Sequence, residues 1–298
     1  MSYSEAGARA QLQASGGGAA TAHLVGNWVE TFSPVITRPR SEWEWPPVVV
    51  LDAKPYKVNL PGGGKGPAFT VLAVHGYLSP FRERDGRLWA VRAVPGAVTA
   101  AKWARFLQEL SGSPVMAVTD HDTTTISGIR KAFPDTTVRL CRHHLGEILY
   151  GKLDSALPAG DDEHPLRQAA RGALNSLERW RQFRVDATAH GLFQVTNWIT
   201  QVDRLLTAEF AVDDLPNVRG NGAVENDLRQ LANVIGNRAF CFKNAERTNR
   251  LLQLARLHIN REDDVDRYAA DIRTHLEAGK DIATQGRIRD EWGAPSLR

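Results

Sequence analysis

Cysteine is nearly missing from this 298-residue chain: Cys141 and Cys241 are the only two. That number is too small for a disulfide framework or a four-cysteine zinc site, and it points to a reducing compartment, so a cytosolic protein is expected. No cysteine precedes Cys141, so the N-terminal segment holds no cysteine zinc ribbon. Long apolar runs are missing as well. No stretch approaches the roughly 18 apolar residues that span a bilayer, and no charged segment leads into a hydrophobic one at the N-terminus, so neither membrane insertion nor export is expected. Charge of one sign is scarce too: 37 Lys and Arg face 34 Asp and Glu, a net charge of +3. So slight an excess permits a polyanionic partner without requiring one, and the distribution of the basic residues matters more than their total. What is present is a 42% hydrophobic composition, that of a globular protein with one sizeable core plus an insertion, or two modest domains.

Residues 1–45 begin Ala/Gly/Ser-rich and show no sustained period before Trp43-Glu44-Trp45, which reads as a partly flexible extension. The pattern changes at Pro47. Val48 to Asp52 is a continuous apolar run closed by an acid, as in a strand buried on both faces, and two more strands are expected over 69–77 and 88–94. The intervening Pro61-Gly62-Gly63-Gly64-Lys65-Gly66 imitates a phosphate loop, but Gly66 stands where Ser or Thr is needed and no helical pattern follows. A hairpin loop is expected there. A helix is expected over 97–110, stopped by Gly112, then a second acid-closed run from Val115 to Asp120, a helix over 124–133 and a strand over 137–140. Residues 145–215 are rich in Leu, Ala and Arg and read as an all-helical insertion, interrupted by an acidic loop between Pro158 and Pro165. After Asn221-Gly222, the residues Val224, Leu228, Leu231 and Ile235 line one helix face, and a further helix covers 245–259. The chain thus divides into an α/β core formed by 46–144 and 216–260, the insertion between them, and a charged helical tail over 261–298.

Three acids stand at special points of this order: Asp52 at the end of the first strand, Asp120 at the end of the fourth, and Glu225 early in a late helix. Alone, each is an ordinary turn former, cap or solvated helix residue. Their joint placement carries the argument. If the first and fourth strands are parallel neighbours, their carboxyl ends meet at one edge, where open α/β sheets commonly place ligands. Glu225 borders the apolar stripe of its helix, so it can reach the same edge. Three uncompensated carboxylates raise one another's pKa values and persist most easily around a cation, and oxygen ligands favour magnesium or manganese over zinc. Two such ions about 4 Å apart activate an attacking hydroxyl and stabilise the leaving oxygen in displacement at phosphorus. Asp122, two residues past Asp120, is the alternative second acid.

In these segments the sequence resembles the catalytic domain of DDE transposases, the Mutator-like group and its bacterial insertion-sequence relatives. The resemblance rests on Val48-Val49-Val50-Leu51-Asp52-Ala53 as first-acid strand, and on Val118-Thr119-Asp120 before a helix ending Ala132-Phe133-Pro134. It rests further on the C-x-x-H element Cys141-Arg142-His143-His144, and on Asn221-Gly222-Ala223-Val224-Glu225-Asn226 after a helical insertion. It covers roughly residues 46–260. The resemblance implies a ribonuclease H-like mixed sheet flanked by helices, with an all-helical insertion before the last catalytic helix. It implies a transposase, with the catalytic acids Asp52, Asp120 and Glu225 holding two Mg2+ or Mn2+ ions for cleavage and strand transfer at the ends of a mobile element. It also implies DNA as partner, a homodimer or higher oligomer on that DNA, and a bacterial cytoplasmic, nucleoid-associated location. A DNA-binding relic without activity and a structure-specific nuclease of the same fold are the alternatives.

Cys141 and His144 supply only two zinc ligands, and His143 is a poor third, because adjacent helix residues point about 100° apart. A packing or capping role, or a place near DNA, is the favoured reading. Arg229, Arg238, Lys243, Arg247 and Arg250, on and just after the third-acid helix, are candidates for neutralising the DNA backbone. Trp198, with Trp180, is a candidate for stacking on an unpaired base, although a helical tryptophan is more often core.

Overall fold

A computed structural model describes residues 22–37, 44–59, 63–79, 85–158, 161, 163–235 and 244–278. Strands β1 (Val48–Asn59), β2 (Lys65–Tyr77) and β3 (Gly86–Pro95) form an antiparallel meander. Helix α2 (Ala100–Leu107) then crosses to β4 (Met116–Thr119), and α3 (Thr123–Ala132) crosses to β5 (Thr137–Leu140). β4 lies parallel to β1, and β5 parallel to β4, giving one mixed five-stranded sheet in the order β3-β2-β1-β4-β5. Short crossovers through a helix are what parallel neighbours require.

The apolar run at Val48 to Leu51 marks where β1 is covered on both faces, each of these side chains being buried. Each such burial stabilises by roughly 1.5–3 kcal/mol, enough to hold an acid at the end of the run. The sequence pattern ends the strand at Asp52, but β1 continues to Asn59, because pairing with β2 persists beyond the point where β4 stops. There the hydrophobic signal thins to Ala53 and Tyr56, the latter stacked on Phe69 with ring centroids 5.0 Å apart. Asn59 pairs with Lys65, and Gly63 and Gly64 take the positive φ values of 97° and 84° that only glycine adopts readily, so this glycine stretch closes a hairpin.

Helices cover both faces of the sheet. On one side α2 and α3 pack together so closely that a Cβ on Gly128 would overlap the Cβ of Trp103. On the other lie α8 (Gly222–Ile235), whose Val224, Leu228, Leu231 and Ile235 face the sheet as their spacing predicts, and α9 (Ala245–Ile259), which packs on β3. Between these halves of the core the chain forms four helices, α4 (Arg142–Ala156), α5 (Pro165–Ala173), α6 (Leu177–Ala189) and α7 (Phe193–Phe210), with α7 seated on β5. Helix α10 (Val265–Glu277) buries no side chain.

Part of the extension expected over 1–45 is an ordered helix, α1 (Ala22–Ile36), lying against α9 and α10. Its period escapes a hydrophobic scan because ionic contacts help dock it: Arg247 pairs with the Glu30 carboxylate, and Arg250 donates to the Glu30 carbonyl at 2.8 Å. The Ser15 to Ala20 stretch lies outside the described residues. Among the described residues no helix is long and apolar enough to cross a membrane.

Candidate metal centre

The β1–β4 ladder pairs Val48 with Met116 and Val50 with Val118, and the same register sets Asp52 opposite Asp120. Alternation along a strand puts Asp52 on the face of Val48 and Val50, and Asp120 on that of Met116 and Val118. Those four residues pack with Val224 and Leu228 of α8, so both aspartates project toward the helix that carries Glu225 in its first turn. His144, in the first turn of α4, stands between the acids: Nδ1 is 2.8 Å from Asp120 Oδ1 and Nε2 is 3.6 Å from Glu225 Oε1.

The group is electrostatically strained toward the neutral forms. Burial pushes the Asp52 carboxyl up to about 6; a hydrogen bond from Ala53 N–H (2.6 Å) opposes this, while the charges of Asp120 and Glu225 add to it. Burial also raises Asp120, against the attraction of His144 and with the repulsion of Glu225. Among the described residues no Lys or Arg forms an ion pair with any of the three acids. The side chains of Asp120 and Glu225 remain 36% and 38% exposed, open enough for an ion or a substrate to arrive.

Asp122 is occupied differently. It is the N-cap of α3, accepting from Thr124 N (3.2 Å), Thr125 N (2.9 Å) and Thr125 Oγ1 (2.6 Å). Burial alone would raise its carboxyl, but these hydrogen bonds outweigh burial and hold it below the usual range. The geometry therefore leaves Asp120, and not Asp122, beside Glu225 and His144.

Two supports are less visible in the sequence. Asn221, just before α8, donates from Nδ2 to Asp120 Oδ1 at 2.7 Å and accepts from Cys141 Sγ at 3.3 Å, so it ties two of the site's strands and helices together. Two residues past Glu225, buried Asp227 meets buried His75 of β2 at 2.6 Å and fastens α8 to the sheet. A lone histidine inside the apolar run of β2 was the available signal, since a buried polar side chain needs a partner. Among the described residues, Asp120, Cys141 and His144 each offer an atom within 4.8 Å of the others.

The remaining candidates are not gathered here. Arg247 and Arg250 are engaged with Glu30 and Glu246 and take part in docking α1. The reading from sequence saw a basic helix without the acid opposite it. Trp198 and Trp180 are buried at 2% and 0% exposure and meet edge to face at 6.2 Å in the core of the insertion, so neither can stack on a base. Arg229 is exposed on α8, while Arg238 and Lys243 lie outside the described residues. His143 points away and pairs with Glu147 at 3.3 Å. No family model and no curated protein matches this chain.

Proposed function

We propose that this chain is a metal-dependent DNA-processing enzyme with a ribonuclease H-like core, a transposase of the DDE type. The observation that carries the reading is the convergence of Asp52, Asp120 and Glu225 from the ends of β1 and β4 and from α8, with the Asp52 carboxyl pushed up to about 6 by burial and by the charges of the other two acids. Three carboxylates fit magnesium or manganese, which prefer oxygen ligands, and two such ions would supply charge neutralisation at the reacting phosphorus. Asp52 and Asp120 would hold them from the sheet and Glu225 from the helix above. Asn221 keeps Asp120 in place, the His75–Asp227 pair keeps α8 at its height, and exposed Arg229 is left to meet the phosphate backbone. Strand order, the helical insertion and the C-x-x-H element support transposase over other enzymes of this chemistry. DNA as substrate, assembly as a dimer or larger on it, and a place on the bacterial nucleoid belong to the same reading.

The test supplies duplex oligonucleotides bearing the inverted repeats that flank the coding sequence, a target plasmid, and Mg2+ or Mn2+. Nicking at the repeat end and joined product, both lost in Asp52→Asn, are expected. Nicking without joining would reassign the chain to a structure-specific nuclease, and DNA binding without nicking would make it a relic.

A further inference from the structure

The C-x-x-H residues find their third donor just past strand β4, at Asp120. Cys141 is fully buried at the N-cap of α4, where its side chain caps nothing. His144 lies three residues on, on the same side of the first helical turn. His144 Nδ1 is shielded from solvent and sits 2.8 Å from Asp120 Oδ1. This places an imidazole nitrogen and a carboxylate oxygen side by side, close enough to share one cation. The thiol is the third atom of the same cluster.

We propose that Asp120, Cys141 and His144 form a site for a thiophilic divalent cation of the zinc class. A sulfur, an imidazole nitrogen and one carboxylate oxygen suit zinc and discriminate against magnesium, which the three carboxylates favour. Binding converts the Cys141 thiol to thiolate and releases its proton to solvent. Three protein ligands leave one position of a tetrahedral zinc open. Asn221, which touches both Asp120 and Cys141, orients two of the three ligands. The site goes beyond the reading as a transposase and does not depend on it.

The test adds Co2+ to the full chain after stripping with a chelator, without DNA. One thiolate-bound cobalt per chain is expected, with thiolate-to-cobalt charge-transfer absorption and the strong visible bands of tetrahedral coordination, all bleached by one equivalent of Zn2+. Cys141→Ser should remove the charge transfer and Cys241→Ser should keep it. Zinc affinity in Cys141→Ser and His144→Gln should fall by more than the roughly 10–100-fold that loss of an outer hydrogen-bond partner costs, whereas Asn221→Ala should stay inside that range. His144 is part-exposed, so His144→Gln tests the site even if Cys141→Ser does not fold. Absence of charge transfer in the wild type, its persistence in Cys141→Ser, or unchanged zinc affinity in His144→Gln overturns the proposal. Asp52→Asn, which abolishes nicking on the transposase reading, should bind cobalt as the wild type does, so the two ideas fail separately.

Discussion

Two polar clusters flank Cys141 in the chain and share the segment 216–221, one whose carboxylate is paired with guanidinium groups and one whose carboxylates, among the described residues, are not. In the first, Glu209 of α7 accepts from Arg139 Nε at 2.8 Å and from Arg142 Nη2 at 2.6 Å, and Arg139 also donates to the Val218 carbonyl at 3.0 Å. In the second, His144 is the only basic side chain among the described residues that pairs with the acids, meeting Asp120 and Glu225. Burial raises the carboxyl in both places, but beside Glu209 two guanidinium groups oppose it. The ion-paired cluster is scaffolding: it joins β5, the end of the insertion and the approach to α8. The other leaves its carboxylates, among the described residues, without a Lys or Arg partner at an accessible edge, where the proposed cation would neutralise them.

The largest expected effect comes from unbalancing the first cluster. Glu209→Ala leaves Arg139 and Arg142 enclosed without a counter-charge, and losing one partner of a buried ion pair costs about 3–5 kcal/mol. Urea denaturation of the purified chain should show that loss as a lower midpoint at unchanged slope. A loss under about 1 kcal/mol, the worth of an exposed pair, would erase the distinction between the clusters.

Relieving the second cluster should have the opposite sign. The folded Asp52 carboxyl titrates at about 6, above its ordinary value of 3.8, so it binds its proton more tightly in the folded chain. Its contribution to stability is therefore complete below about pH 4 and is lost as pH rises through about 6. Asp52→Asn removes that penalty and should stabilise the metal-free chain at pH 8 by up to about 3 kcal/mol, with no comparable gain at pH 4. Magnesium at a thousand times its Kd should invert the ranking at pH 8, because it then stabilises the wild type by about 4.1 kcal/mol and has lost a ligand in the variant. Equal effects at both pH values would remove the electrostatic argument for the site.

The sequence made one kind of feature readable and concealed another. Buried strands announce themselves as apolar runs, so Val48 to Leu51 and Met116 to Val118 are visible, and with them the acids that follow. Their convergence needed the parallel pairing of β1 with β4, which a sequence suggests only through the order of its elements. The continuation of β1 past Asp52 was hidden, because backbone pairing with β2 leaves no apolar trace. Helix α1 was hidden for a related reason: its contacts with Arg247 and Arg250 are an ion pair and a hydrogen bond to backbone, and partners more than 200 positions apart carry no local period. The tryptophans were misplaced differently, since amphipathic spacing on a helix does not distinguish a face turned to a core from one turned to a ligand.

The smallest expected effect separates two acids that stand two residues apart. Asp120 and Asp122 look alike in the run from Thr119 to Thr123, but Asp122 spends both oxygens on Thr124 and Thr125 while Asp120 Oδ1 faces His144 and Asn221. Asp122→Ala should cost the helix its cap, about 0.5–2 kcal/mol, and leave the magnesium-dependent rise in Tm intact. Asp120→Asn should abolish that rise. Because an N-cap acts on the first turn of its own helix, the loss in Asp122→Ala should also be regained by Asp122→Ser, which restores a capping oxygen without restoring the charge. Rescue by serine would show that the charge at position 122 is dispensable, and failure of serine to rescue, together with loss of the magnesium effect, would move the second metal ligand from Asp120 to Asp122.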